Sequence, residues 1–354
     1  MIAIVFVLNP NFAPYIKKYT RIIESMKLDY KIIYWDRLDS KNHNSENSVI
    51  FRYKKDLSSS KFSKISSFIK FRKFVNNELS KDYTHVILLS TLSGFLINRK
   101  NLKKYYNKIV YDIRDYTYES LPFYKYKEKK IIEKSSIVPI SSNGFLNFLP
   151  KSEKYIINHN IPAEEKNDES LIRKYSDDKY PITISFVGAI RHFNIDKKLV
   201  EIFGNDNRFR LEFHGYGMTY EKLKDFISDK YNNVDITGYY SNEEKKDFYS
   251  RCDIINNYYS DEYINKYAIS NKFYDSLVYK IPIWGNPNVY LGQAIKQYGL
   301  GIALRLDNNI KEKLINEFES FNYDKFQINC TKLLKEIRDE ENNFELQIIK
   351  FLNE

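Results

Sequence analysis

Short apolar runs rich in β-branched residues recur along this chain, with longer amphipathic stretches between them. That alternation restricts the fold more than any other feature. In the first half the runs are Ile2–Leu8, Ile32–Trp35, Val49–Phe51, Val86–Leu89, Ile109–Tyr111, Ile137–Ile140 and Tyr155–Ile157. Continuous apolar runs this short are what strands buried on both faces of a parallel sheet require. Helix-length segments such as Ala13–Met26 and Lys61–Leu79 fall between several of them. Strand, helix and strand in repetition predict βαβ units and an α/β class.

The segment from Pro162 to Pro181 interrupts the pattern. It is mostly charged or polar and bracketed by prolines, as domain linkers are. The pattern then restarts with Ile182–Val187, Leu211–Phe213, Val234–Ile236, Ile254–Ile255, Ile281–Trp284 and Gly301–Leu304. Helix-length segments are expected at Tyr220–Lys230, Asn242–Ser250, Asn271–Tyr279, Leu291–Tyr298 and about Asp324–Leu352. At roughly 150 residues per domain, 354 residues make about two. The expectation is a domain over 1–165, a second over 166–325, and a helical segment over 326–354 that packs back on the first. Two α/β domains facing across a cleft would bind ligands beyond the carboxyl ends of their strands.

Composition narrows the partners. The chain has 56 Lys and Arg against 46 Asp and Glu, a formal charge of +10. With 31 Tyr and 24 Phe, this admits nucleic acid, an anionic membrane surface or a phosphorylated small molecule. Bias towards Lys, Asn, Ile and Tyr across the genome would explain much of it equally well. No run approaches the ~20 apolar residues of a spanning helix, and no secretory signal is visible at Met1–Leu8. Only Cys252 and Cys330 are present, so no disulfide framework is expected and a reducing cytoplasm fits. No Cys/His spacing points to zinc.

Four segments carry chemistry. In Ile184–Arg191 a strand runs into Gly188 and then Arg191. A glycine lets backbone approach a ligand, a following helix start offers free N–H groups, and Arg can bind phosphate bidentately. The alternative is a strand-ending glycine beside a surface arginine. In Leu211–Gly217 a strand ends in Gly215 and Gly217, and in Val234–Tyr240 one ends in Gly238, followed by Tyr239 and Tyr240. A tyrosine here can stack on a base or simply pack. In Ile269–Trp284, Ser270 or Asn271 caps a helix, and Asn271 and Asp275 share a face at i, i+4 with Lys272 about 100° away. A carboxylate there can accept from both ribose hydroxyls; the alternative is a surface Lys272–Asp275 pair.

The order and spacing of these segments resemble the donor-binding half of GT-B glycosyltransferases. The likeness is to the group 1, family-4-like enzymes of bacterial capsule, exopolysaccharide and O-antigen synthesis. Asn271-Lys272-Phe273-Tyr274-Asp275 through Pro282 is similar to their N-K-hydrophobic-x-E…G-x-P signature, and Tyr249–Ile254 to the element before it. In the first half Val110–Asp115, Ile137–Ser142 and Ile156–Pro162 look like further family elements. Departures are Tyr267 where the family has the first acid of a Glu-x7-Glu pair (with Asp261 or Glu262 as substitutes), Lys280 for a glycine, and Asn9–Pro14 for a glycine-rich loop.

The resemblance implies two Rossmann-like domains and a nucleotide-diphosphate sugar as donor substrate. Gly188, Arg191 and Lys197 or Lys198 would hold the diphosphate, Asp275 the ribose, with Asn271 and Lys272 beside it. Gly215, Gly217, Gly238 and Tyr239 would meet the base. Asp115 and Arg191 are the catalytic candidates; Asp115 capping a helix is the alternative. Asn11, Asp112 and Arg114 are the acceptor-side candidates, and His192 is a further donor contact. No cofactor or metal is expected, since the chain has no Asp-x-Asp and Arg and Lys can neutralise the leaving group. The acceptor would be a saccharide or a lipid-pyrophosphate-linked saccharide, and retention of configuration is the expected outcome. Lys61–Lys81, with six basic residues and one acid, is a candidate for peripheral contact with anionic lipid, the alternative being a core-packed helix with a basic edge. Rival readings are a non-catalytic GT-B-like partner subunit and a nucleic-acid-binding protein; no recognition motif supports the latter.

Overall fold

A computed structural model of the protein describes residues 1–13, 15–37, 46–53, 61–116, 118, 120–161 and 180–354. Most of the expected linker, Pro162 to residue 179, lies outside the described residues. The chain divides into two units: Met1–His159 with Asp339–Glu354, and Asn160–Arg338.

The first unit runs β1 (Ile2–Phe6), α1 (Ile16–Ser25), β2 (Tyr30–Asp36), β3 (Ser48–Arg52), α2 (Lys61–Leu79), β4 (His85–Leu89), α3 (Thr91–Leu96), α4 (Arg99–Lys104), β5 (Ile109–Asp112), α5 (Pro122–Lys134), β6 (Val138–Ile140) and β7 (Tyr155–Ile157). Strands β3-β2-β1-β4-β5 form one parallel sheet in that order. The parallel pair β6-β7 joins its β5 side through the bridges Val110–Ile137 and Ile113–Ile140. Every residue of β1 and β4 is buried, as their apolar runs require. Helix α1 turns Ile16, Tyr19, Ile22 and Ile23 inward, the 3.6-residue stripe of a sheet-facing helix. It starts later than Ala13, because a short 3₁₀ turn occupies Pro10–Phe12.

The second unit runs β8 (Ile182–Val187), α6 (Phe193–Phe203), β9 (Phe209–His214), α7 (Tyr220–Ile227), β10 (Val234–Gly238), α8 (Asn242–Ser250), β11 (Ile254–Asn256), α9 (Tyr263–Lys266), α10 (Asn271–Tyr279), β12 (Ile283–Gly285), α11 (Tyr290–Tyr298), β13 (Gly301–Ala303) and α12 (Ile310–Glu319). The last helix, α13 (Tyr323–Asn353), starts in this unit, and its residues from Asp339 belong to the first. The sheet is parallel throughout, in the order β10-β9-β8-β11-β12-β13. Its two faces carry separate cores, one around Trp284, Phe203 and Phe213, the other around Tyr249, Tyr274 and Ile295. Helix α8 is fixed by a capping box between Ser241 and Glu244.

Strand order reverses direction twice, between β1 and β4 and between β8 and β11. Crevices open beyond the carboxyl ends of such strand pairs, and ligands bind there in open α/β sheets.

Candidate functional site

In the second unit three glycines line up across the ends of adjacent strands. Gly188 follows β8, Gly215 follows β9 and Gly238 closes β10, with φ of +144°, +138° and +91°. Gly188 N–H donates to His214 O at 2.8 Å, and Gly215 bridges Gly238. A Cβ on Gly215 would fall 1.9 Å from Gly188 O, and one on Gly217 would fall 2.3 Å from Ile190 O. No side chain fits at either position, so the backbone of the two loops lies in direct contact. The separate strand–glycine signals of the sequence thus form one continuous rim.

At the reversal point, Lys272 enters from the first turn of α10. It is 7% exposed, and its ammonium sits 4.0 Å from the centroid of Phe186. It donates to Tyr259 Oη at 3.1 Å, and a Cβ on Gly188 would lie 3.4 Å from it. Lys272 therefore spans the crevice between the ends of β8 and β11. Among the described residues no carboxylate comes within 4.0 Å of it. A buried cation held only by a ring face and a phenol is costly unless an anion completes the site.

Two further groups lie within electrostatic reach of this ammonium. His192 precedes α6 and sets its ring edge-on to Tyr259 at 5.2 Å; burial pushes its pKa down, Lys272 and Arg191 add to that, and Glu262 opposes it. Asp196, on the buried side of α6, has its carboxyl pushed up to about 7 by burial, against the pull of Lys272. Its Oδ2 has no hydrogen-bond partner among the described residues. Arg191 is exposed on the loop after Gly188.

Helix phase redistributes the expected cations. With Asp196 facing inward, Lys197 turns outward to Glu201 at 3.3 Å and over the ring of Phe226, and Lys198 reaches Leu306 O. The cation beside Gly188 is Lys272. Asp275 is buried and does not pair with Lys272 at i, i+3. Instead it accepts from Lys245 Nζ at 2.7 Å and Tyr249 Oη at 2.8 Å, both from α8. Asn271, on the same helix, is exposed. Asp261 accepts from Asn288 Nδ2 at 2.9 Å and from Asn286, which ties it to the loop after β12, whereas Glu262 is the acid whose charge acts on His192. Lys280 ends α10 at φ +55°, the left-handed cap that a glycine adopts without cost. Beyond β9 and β10, Tyr216 and Tyr239 stack at 4.4 Å with planes 17° apart, and Tyr239 is 81% exposed.

The first unit arranges its charges differently. Asp112, at the end of β5, is fully buried. It accepts from Arg114 Nη2 at 2.8 Å, Tyr19 Oη at 2.6 Å and Asn158 Nδ2 at 3.1 Å. Arg114 also donates to Asn158 O at 3.0 Å, and its guanidinium lies 4.3 Å over the ring of Tyr15. Burial opposes the charge on Arg114, and Asp112 more than offsets that, so the guanidinium pKa rises. A direct acceptor contact by either residue needs this cluster to open. Asp115 lies on the exposed loop beyond, its carbonyl accepting from Thr91 Oγ1 at 2.9 Å. Asn11 sits in the turn after β1, its N–H donating to Asn9 Oδ1 at 3.1 Å. Sequence reasoning did not single out Ser90, which follows β4 at the reversal point with φ +78°, a conformation that concentrates at functional sites.

No protein-family model matches the chain, and no curated protein does. Solved structures do. The chain is similar to sucrose-phosphate synthase from Thermosynechococcus elongatus, with TM-score 0.67 and 12% identity over 99% of this chain and 98% of that one. It is similar to the lipopolysaccharide outer core galactosyltransferase WaaB, with TM-score 0.63 and 12% identity over 98% of each. HepE of Anabaena, solved with UDP and glucose, matches at TM-score 0.63 and 9% identity over 98% of each chain. At these identities the likeness establishes the fold, which is that of the GT-B glycosyltransferases.

Proposed function

We propose that this chain is a glycosyltransferase that moves a sugar from a nucleoside-diphosphate sugar to a saccharide or lipid-linked acceptor. The single observation that carries the reading is Lys272, a buried ammonium without a carboxylate partner among the described residues, pointed at the glycine rim of the β8–β11 crevice. A diphosphate placed there receives Lys272 from one side, Arg191 from the loop, and backbone N–H groups where no Cβ intervenes. When the nucleoside diphosphate departs, negative charge grows on its phosphates, and fixed cations there stabilise the transition state. In this reading these two cations supply the neutralisation and no metal is required. Tyr239 and Tyr216 offer a face to the base, and Gly215, Gly217 and Gly238 let it approach. Asn271 and Asp275 serve the ribose, the latter by exchanging its bond to the part-exposed Lys245.

The acceptor belongs at the strand ends of the first unit, where Asp115 is the proposed contact to the attacking hydroxyl and Asn11 a neighbour. The Asp112–Arg114 cluster then acts by holding the loop that carries Asp115. Retention of configuration and a role in surface-polysaccharide synthesis are the finer parts of the same proposal. A second reading, a non-catalytic partner subunit, is favoured by the occupied Asp275 and by Tyr267.

A thermal-shift panel of UDP, GDP and ADP and their sugars tests the donor site, because a ligand that binds the native state raises its melting temperature. Stabilisation by one nucleotide series supports the reading, and no shift with any overturns it. Transfer or donor hydrolysis by the purified chain alone excludes the non-catalytic rival.

A further inference from the structure

Next to the glycine rim, the sheet of the second unit encloses an acid and an imidazole. Glu212 and His214 stand two residues apart on β9, so their side chains share one face, and each is 1% exposed. Glu212 accepts from Ser185 Oγ of β8 at 3.1 Å and from Arg251 Nε, just after α8, at 3.1 Å. Arg210, half-exposed on the same strand, reaches it at 3.1 Å. Burial pushes the Glu212 carboxyl up, and the bond from His214 with the charge of Arg251 more than offsets that, so its pKa falls below the ordinary value.

His214 is held on every side. Its Nε2 lies 3.0 Å from Glu212 Oε2, and because a carboxylate only accepts, Nε2 carries a proton. Its Nδ1 lies 3.2 Å from Thr237 Oγ1 of β10, from which the neutral ring accepts. The ring is stacked on Phe248 of α8, with centroids 3.6 Å and planes 4° apart, and the Arg251 guanidinium lies 5.2 Å from the centroid of the same Phe248. His214 O accepts from Gly188 N–H. His214 thus ties three strand ends together: β8 through Glu212 and Ser185, β9 through its own backbone, and β10 through Thr237. His214 directly precedes Gly215 and Thr237 directly precedes Gly238. Each also stands two residues before a member of the stacked pair Tyr216 and Tyr239.

Stability alone does not call for these groups. A buried acid with its partners can be exchanged for apolar residues of similar volume at little cost, because desolvation consumes the Coulomb gain. A satisfied polar network differs from apolar packing in direction, since its bonds hold in one arrangement only. That matters at β10, where the ladder to β9 shifts register between Ile236 and Gly238. Thr237 is the residue at this irregularity, and such bulges re-aim the side chains beside them.

We infer that His214 is a positioning residue for the nucleoside-diphosphate donor. Clamped by Glu212 and bonded to Thr237, it fixes the irregularity in β10 and sets Tyr216 and Tyr239 in the stacked arrangement that receives the base. Glu212 and Thr237 act through it. The inference rests on the proposed donor site and assigns what aligns its base side.

Calorimetric titration of the full chain tests it, with the nucleoside diphosphate that shifts the wild type most and with inorganic pyrophosphate, which has no base. Thr237 is exposed, so Thr237→Val removes the hydroxyl at nearly constant volume without disturbing the core, and Thr237→Ser restores it. His214→Gln keeps a donor for Glu212 and loses the bond to Thr237. The expected result is nucleoside-diphosphate binding about 3- to 10-fold weaker in Thr237→Val, the worth of one neutral hydrogen bond. Thr237→Ser should bind as wild type does, and pyrophosphate affinity should stay within about 2-fold in both Thr237 variants. Combining Thr237→Val with His214→Gln should cost no more affinity than His214→Gln alone, because the two changes remove the same bond. Equal nucleoside-diphosphate affinity in wild type and Thr237→Val overturns the inference and leaves the donor site standing. So does an equal loss of pyrophosphate affinity, a loss that Thr237→Ser does not restore, or fully additive losses in the combined variant. A wild type that binds neither ligand overturns the donor site itself, and the inference with it.

Discussion

Both halves of this molecule bury a cation beside the end of a parallel strand, and the two are treated in opposite ways. In the first unit Arg114 meets a carboxylate, a carbonyl and a ring, and Asp112 is in turn held by Tyr19 and Asn158. In the second unit Lys272 meets a ring and a phenol and points at glycine backbone. The closed cluster spends its charges on each other and holds the strand end together. The open cation is the proposed binding element, because its desolvation cost would fall when an anion arrives. Position at a strand end is thus not sufficient to name a site; the state of the charge decides.

The sharpest way to break this comparison is to cut the closed cluster. Asp112→Ala leaves Arg114 buried without its carboxylate and should cost about 3–5 kcal/mol of stability in denaturant unfolding, with Asp112→Asn costing less. A loss within about 0.5 kcal/mol would make the cluster dispensable to the fold.

Asp196 gives the next largest effect, and its sign is fixed by its raised pKa. The unfolded carboxyl releases its proton near 4, whereas the folded one holds it to about 7. The folded state binds the extra proton in that window, so stability from this group is full below pH 4, declines as pH rises to about 7, and is then constant. The loss across the window is of order 4 kcal/mol at most. Asp196→Asn should remove this decline, so its melting temperature relative to wild type should rise from pH 4 to pH 8. Parallel pH profiles for the two proteins would place Asp196 in water rather than in the crevice wall.

Backbone contact at the glycine rim is tested by Gly215→Ala. A Cβ 1.9 Å from Gly188 O, at φ +138°, should cost roughly 1–3 kcal/mol and weaken nucleotide binding together with stability. The smallest effect belongs to the exposed rim. Tyr239→Ala should leave stability within about 0.5 kcal/mol and weaken nucleotide binding by about 1 kcal/mol, as for a stacked base. Unchanged nucleotide affinity would remove the tyrosine pair from the donor site.

Much of the architecture was legible in the chain. Tyr155–Ile157 and Ile182–Val187 match their strands residue for residue, and Lys61–Leu79, Asn242–Ser250 and Asn271–Tyr279 match their helices. Apolar periodicity acts locally, so it reads directly from sequence. Ile281–Trp284 begins two residues early because Pro282 offers no ladder N–H. The sequence places a helix start after Gly188 without bounds for α6, and so without the phase that sends Asp196 inward and Lys197 outward. The candidate site was legible only as a set of strand ends. That Gly188, Gly215 and Gly238 adjoin follows from strand order, and strand order is set by contacts far apart in the chain. The pairing of Asp275 with Lys245, thirty residues away, comes from the packing of α8 against α10, and no local spacing contains it.

The central claim is that Lys272 is an unfinished anion site, and calorimetric titration of the full chain tests it directly. The nucleoside diphosphate that shifts the wild type most is titrated into wild type and into Lys272→Met, alongside denaturant unfolding of both. Met removes the charge at similar length, so stability should be unchanged or higher, while affinity should fall about 10- to 100-fold. Equal affinity for the diphosphate in the two proteins, or a large loss of stability in Lys272→Met, would contradict the account.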